Sequence, residues 1–510
     1  MSMEKNIDTQ QLHDLCDICA EYKQKSPHPS RPHIQASVDI STWSNIHVLF
    51  QKLLPKDAAS NVDEDEQALL AANKYNALSD LCIFVRNAAA MDPSNQNAID
   101  KLGVMADVKN TVSSMLLREL THAGAMKCAT LAAQALSNTV TKNKVLQEKL
   151  IRQEFSVDLT TTTDNIYSDL LASVHQKTNT AGLVLLLNSI KGNSDLVKLL
   201  CTTDSGKLVA RRLGIMFGSI QDDDSEEKEV LYALLAQIIE NKCLTELVRG
   251  NSTLDMYGLL ESFAVYCGIH ADSADTLGQV FDKELVCFLG DLLGQERIVL
   301  IRIWQGVSSN DASQPGEKLD MDSVMAAHRC LAAVVSILGT ATSNHSQKLV
   351  DWLIECKVIH RVVELLGFLN INLPRIQSLS DPNGISEKHT NEDQGASVKR
   401  LFMFKRDLIQ IIGNSAYRNK DAQDLIRELD GLSLVLDNMR IDDNHPFIKE
   451  YAVVALKWLL EDNMDNQIYV KDMEVIKPVL DPSITAPGVD VSVDDNDIPI
   501  LEKSRKQGNS

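Results

Sequence analysis

The chain has 510 residues, 44% hydrophobic and only 5% aromatic, and its 50 basic against 70 acidic side chains give a formal charge of −20. An aliphatic composition of this kind suits helices packed on helices. The acid excess argues against a nucleic-acid surface, which needs a basic excess over the phosphates, and no basic patch of length is visible; it favours solubility and basic protein partners.

Uninterrupted apolar runs such as Leu183 to Leu187 fall far short of the roughly 18 residues of a membrane span. The polar start, Met1 to Gln11, lacks the apolar centre of a signal peptide. The expectation is therefore no nucleic acid, no membrane span and a cytoplasmic location. Ten cysteines scattered at irregular gaps fit reduced, mostly buried thiols.

Residues 1–35 read as a helix and a Pro/His/Ser linker. His13, Cys16 and Cys19 have a spacing that could gather three soft metal ligands, but no second CxxC or HxxxH supplies a fourth. A helix face carrying Leu12, Leu15, Cys16 and Cys19 explains the same spacing, so no metal or cofactor is assigned.

Residues 36–370 read as helical repeats. The helix ends ALSNTVTKN, LLLNSIKGN, LLAQIIEN, SILGTATSN, IIGNSAYRN and ALKWLLEDN close on Asn143, Asn193, Asn241, Asn344, Asn419 and Asn463. Asn138, Asn188 and Asn414 stand five residues before three of these, and Asn87 marks an earlier copy. The intervals Asn87–Asn138, Asn138–Asn188 and Asn193–Asn241 are 51, 50 and 48 residues. The wider gap from Asn241 to Asn344 leaves room for one more unit. A period in the forties to low fifties built only of helical patterns is that of an all-α armadillo or HEAT-like solenoid.

The terminal asparagines read as caps that tolerate the left-handed region. The inner ones lie within helices, where propensity slightly disfavours Asn; they either line a concave groove or pack against a neighbouring loop. Asp222 to Glu229 is an acidic run in which Ser225 is a phosphoacceptor candidate, although a solvated loop accounts for it as well. Residues 371–398 read as a mobile polar insert and 481–510 as a disordered acidic tail.

Residues 399–480 carry the clearest pattern, with helices at 407–416, 422–429 and 432–439. Asp442-Asp443-Asn444-His445-Pro446 then caps a last helix, which places Phe447, Tyr451, Ala455 and Leu459 on one face. Ile412-Gly413-Asn414, Tyr417-Arg418-Asn419, Gln423-Asp424, Glu428-Leu429-Asp430-Gly431, Asp437-Asn438, Asp442-Asp443-Asn444 and Pro446-Phe447-Ile448 closely resemble the C-terminal domain of the ataxin-10 family. Fungal members of that family include one named for copper transport. Tyr451 and Trp458 depart from the family's usual Trp and Asn.

The resemblance implies a non-enzymatic scaffold involved in cytokinesis and cell division, with signalling or mitotic proteins as partners on the concave face. A homo-oligomer is also admitted. Asn87, Asn138, Asn188, Asn414 and Trp458 are the candidate partner-binding residues. No Walker, Rossmann, HExxH or GxSxG signature is present, so no catalytic or cofactor-binding residue is expected.

Two alternatives remain. A transport adaptor of the armadillo type would need a Trp one turn before each groove Asn, but Ile83, Gln134, Val184 and Gln410 stand there. A copper-handling protein would need closely spaced thiolates, and His13, Cys16 and Cys19 form the lone cluster.

Overall fold

The computed structural model describes residues 9–27, 37–54, 64–118, 123–155, 165–219, 225–249, 253–308, 321–372, 392–440, 447–473, 489–493 and 499–503. They form an armadillo-like solenoid of stacked helical units. The first unit is α1 (Thr9–Gln24), α2 (Ile40–Leu53) and α3 (Glu64–Met91). The second is α4 (Pro93–Lys101), α5 (Val104–Leu116) and α6 (Ala123–Val140); the third is α7 (Lys144–Glu154), α8 (Ile166–Ala172) and α9 (Gln176–Ile190). The fourth is α10 (Ser194–Thr202), α11 (Asp204–Ser219) and α12 (Glu226–Glu240).

A short fifth unit has two described helices, α13 (Leu244–Val248) and α14 (Thr253–Ile269). It fills the wide gap between Asn241 and Asn344 together with α15 (Ala274–Val280), α16 (Lys283–Ser308) and α17 (Met321–Thr342). The seventh unit is α18 (Gln347–Glu355), α19 (Val358–Asn372) and α20 (Glu392–Ala416). The eighth is α21 (Lys420–Glu428), α22 (Gly431–Asp437) and α23 (Ile448–Leu460), followed by α24 (Met464–Asp472).

The last helix of each unit packs on its counterpart in the next: α3 on α6, α6 on α9, α9 on α12, α14 on α17, α17 on α20 and α20 on α23. One aliphatic core runs from Leu12 to Leu459. Close approach is built in at Gly413, where an added Cβ would sit 2.8 Å from Ala455.

Asparagine works at the other side of the turn from that expected. Lys142, Gly192, Arg418 and Asp462 adopt the left-handed conformation, and each is followed by an Asn in extended backbone that caps the next helix. Asn143, Asn193, Asn419 and Asn463 accept from the backbone N–H of Leu146, Leu196, Ala422 and Asn466. The short acceptor side chain reaches the N–H three residues on, which satisfies a helix start better than it closes a helix end. Asn241 instead ends α12, and Ser346 caps α18. Ser225 is likewise a cap, accepting from the Lys228 N–H.

Four further expectations change. Helix α20 begins at Glu392, inside the stretch read as a polar insert; most of that stretch, 373–391, lies outside the described residues. The stretch read as a disordered tail holds an antiparallel hairpin, Val489–Val493 against Pro499–Lys503, which fits the alternation Val489, Val491, Val493. Within α17, Met325–Thr342 is long and apolar enough to cross a membrane, although none of its apolar runs is long; 72% of it is buried because α14, α16 and α20 pack around it. Finally, Phe447 precedes α23 instead of lying on its inner face and is 63% exposed.

Candidate partner-binding face

The inner asparagines lie on the last helices α3, α6, α9 and α20; Asn87 reaches the turn after α1, and the other three reach back to the unit before their own. Asn87 Nδ2 donates to Ser26 Oγ at 3.0 Å, Asn138 Nδ2 to the Arg86 carbonyl at 2.9 Å, and Asn188 Nδ2 to Ser137 Oγ at 2.8 Å. Asn414, buried on α20, donates to Thr342 Oγ1 at 3.2 Å. These amides fix the register of neighbouring helices. Of the two roles open to them, packing is the one their contacts fill.

Trp458 holds the place on α23 that Asn414 holds on α20. Its ring stands edge-on to Tyr417 and His345, with centroids 5.3 and 5.2 Å away, so it ties the last three units together at one edge.

A second set of amides reaches forward, and sequence reasoning missed it. Gln96 Nε2 donates to the carbonyls of Asn138 and Thr141, while Asn143 donates to Gln96 Oε1. Gln147 donates to the Asn188 carbonyl, and Gln347 to that of Tyr417. Gln423 donates to the carbonyls of Trp458 and Glu461 and accepts from Asn463. Each glutamine thus closes the open carbonyl end of its own unit's last helix, where four acceptors lack partners. The signal was available: Gln96, Gln147, Gln423 and Gln467 each stand four residues after a capping Asp or Asn.

The side chains left over make the candidate face. Arg86 spans two layers by donating to Gln134 Oε1 at 2.8 Å, and Thr130 meets Thr178 at 2.9 Å. On α14 the apolar Val265 and Ile269 are 47% and 70% exposed. Beside them Arg329 of α17 grips Glu261 through two hydrogen bonds and lies 4.1 Å from the Tyr257 ring centroid. The Glu261 hydrogen bond holds the Arg329 guanidinium above its ordinary value.

His13, Cys16 and Cys19 do not converge. His13 is at the surface beside Asp17, the Cys16 thiol meets the Asn73 carbonyl, and Cys19 is fully buried. Burial pushes the Cys19 thiol up to about 12, which makes it a poor thiolate donor. Among the described residues no group of three or more His, Cys, Asp or Glu side chains could hold a metal ion.

The cysteines themselves are not isolated. Cys287 and Cys356, of α16 and the turn after α18, form a disulfide, against the expectation of thiols throughout. The reason is placement: residues 69 apart in sequence meet across one seam.

Residues 404–501 match the family profile described as the spinocerebellar ataxia type 10 protein domain. The chain carries an ataxin-10-type domain. It is 33% identical to the ataxin-10 homolog of Saccharomyces cerevisiae over 205 residues, which is 36% of each chain. It is 43% identical to that of Candida albicans over 106 residues, 21% of this chain and 23% of the relative. Human ataxin-10 is 48% identical over 71 residues, 14% of this chain and 15% of the relative. The chain thus spans about a third or less of the length of these relatives.

Among solved structures, an engineered protein is 14% identical and covers 89% of this chain and 96% of its own, with a TM-score of 0.30. SYS-1 is 10% identical and covers 88% and 76%, with a TM-score of 0.34.

Proposed function

We propose that the chain is a cytoplasmic, non-enzymatic scaffold that presents its row of last helices to protein partners. One observation carries the reading: the polar groups along that row are spent on one another. Asn87 bonds to the turn after α1, and Asn138, Asn188 and Asn414 bond to the preceding unit, so the face is held in one shape before any partner arrives. A preorganised surface loses less freedom on binding. The partner contacts then fall to the exposed side chains between the amides, with Val265 and Ile269 as an apolar centre and Trp458 at the far edge. The family resemblance supplies the class of partner, signalling or cell-division proteins, and with it the role in cytokinesis.

Crosslinking mass spectrometry on the full chain in cells tests the face. Inter-protein links are expected at Lys74, Lys127, Lys177, Lys228 and Lys457, which lie on α3, α6, α9, α12 and α23. Links confined to Lys52, Lys101 and Lys149 of α2, α4 and α7, with Ile269→Asp leaving them unchanged, would place the partner surface on the opposite side.

A further inference from the structure

Three cations on the row of last helices pair with no carboxylate among the described residues. Arg86 of α3 is half-buried. Both of its hydrogen bonds go to neutral amide oxygens, from Nε to Asn87 at 3.2 Å and from Nη1 to Gln134 at 2.8 Å. Burial holds the guanidinium below its ordinary value, and no carboxylate offsets the cost of burying it. Lys127 of α6 and Lys177 of α9 are exposed. Each stands eleven residues before an inner asparagine, Asn138 or Asn188, so the two occupy matching places in adjoining units.

Their surroundings add to the positive field. Helices α6 and α9 contain no Asp or Glu, although the chain has 70, so their positive N-terminal ends are not offset from within. On α3, Asp80 is already paired with Lys23 at 2.8 Å. The acidic start of α12 bounds the patch beyond α9, where Glu227 accepts from Gln176 Nε2 at 3.4 Å. The patch leaves no basic run in the sequence because each of three units supplies one cation.

We propose that Arg86, Lys127 and Lys177 bind an acidic, extended segment of a protein partner, carboxylate to cation. The inference rests on the row of last helices being the partner face. Asn87 and Gln134 fix the guanidinium plane, and Nη2 keeps its two N–H groups for an incoming carboxylate. Gln134 stands seven residues after Lys127, about 10 Å along α6. Lys177 lies across one seam, about 10 Å further. An extended chain rises about 3.3 Å per residue, so carboxylates about three residues apart meet the three cations in turn. A guanidinium already held in place loses little freedom on binding.

The full-length protein is titrated into a labelled twelve-residue peptide with Glu at every third position and Ser between, and binding is read by fluorescence anisotropy. Binding is expected, and it weakens as salt screens the charges. Arg86→Gln is expected to weaken it about ten-fold, and Lys127→Gln or Lys177→Gln about three-fold each. Lys52→Gln on α2 leaves it unchanged. The two lysine variants alter only exposed side chains, so they test the site even where Arg86→Gln fails to fold. Absence of binding, equal affinity in the wild type and all three variants, or equal binding of a peptide with Lys in place of Glu overturns the proposal. Binding of the matching phosphoserine peptide alone overturns it too, since the site then selects phosphate over carboxylate. The scaffold reading fails separately: crosslinks in cells confined to the opposite side remove it even where the acidic peptide binds through Arg86.

Discussion

Two regions of this solenoid hold their layers together by different chemistry. From α3 to α9 and again from α18 to α24, amides link the layers, reaching back through Asn138, Asn188 and the buried Asn414 and forward through the buried Gln96, Gln147 and Gln423 and the exposed Gln347. Between α10 and α17 the glutamine places hold Val197, Leu247 and Leu277, and the seams carry the Cys287–Cys356 disulfide and the Arg329–Glu261 ion pair instead. Apolar contact is non-directional and tolerates small slips, whereas a buried amide is satisfied in one register only. The ends are therefore fixed in register, and the middle is the part that can adjust.

Breaking one rung at the ordered end should have the largest effect. Gln423→Leu preserves volume but strands the carbonyls of Trp458 and Glu461 and the Asn463 amide, and should cost about 3 kcal/mol in denaturant unfolding. Gln467→Leu, at the matching place with no further layer beyond it, should cost less than about 0.5 kcal/mol, since Gln467 bonds only to the Leu460 carbonyl of its own turn. Equal losses in the two variants would show that the rung is not a contact between layers.

In the middle region, Arg329→Met should cost about 1 kcal/mol, because its ion pair is about a third exposed and screened; a loss as large as that of Gln423→Leu would erase the contrast. Phe447→Ala is expected to shift stability by less than about 0.5 kcal/mol. A Phe447 ring buried on the same face as Ala455 and Leu459 would require several times that, and the melting temperature decides between them.

The smallest effect is a pH dependence. Burial raises the Asp424 carboxyl, but hydrogen bonds from Asn463 and Arg427 outweigh it and hold the group below its ordinary value. A carboxyl depressed in the folded state contributes stability above its unfolded value, and that contribution is lost as pH falls through the folded value. Wild type and Asp424→Asn should therefore differ in melting temperature at neutral pH and converge in acid. Parallel curves would remove Asp424 from the account.

The chain by itself determined the unit: the helical period, the turn sites, the recurring Asn and the ataxin-10-type motifs between Gly413 and Phe447 are all local. Hydrophobic spacing and cap chemistry act within one or two turns of helix, so they can be read without a fold. Only the tertiary structure decided which partner each polar side chain found. Asn138 meets a carbonyl 52 residues away and Asn414 a hydroxyl 72 away, and Cys287 finds Cys356. Whether an amide faces a groove or a neighbour, and whether a thiol stands alone or in a pair, depends on how one layer is set against the next. That offset is a property of packing between units and leaves no mark within any one of them.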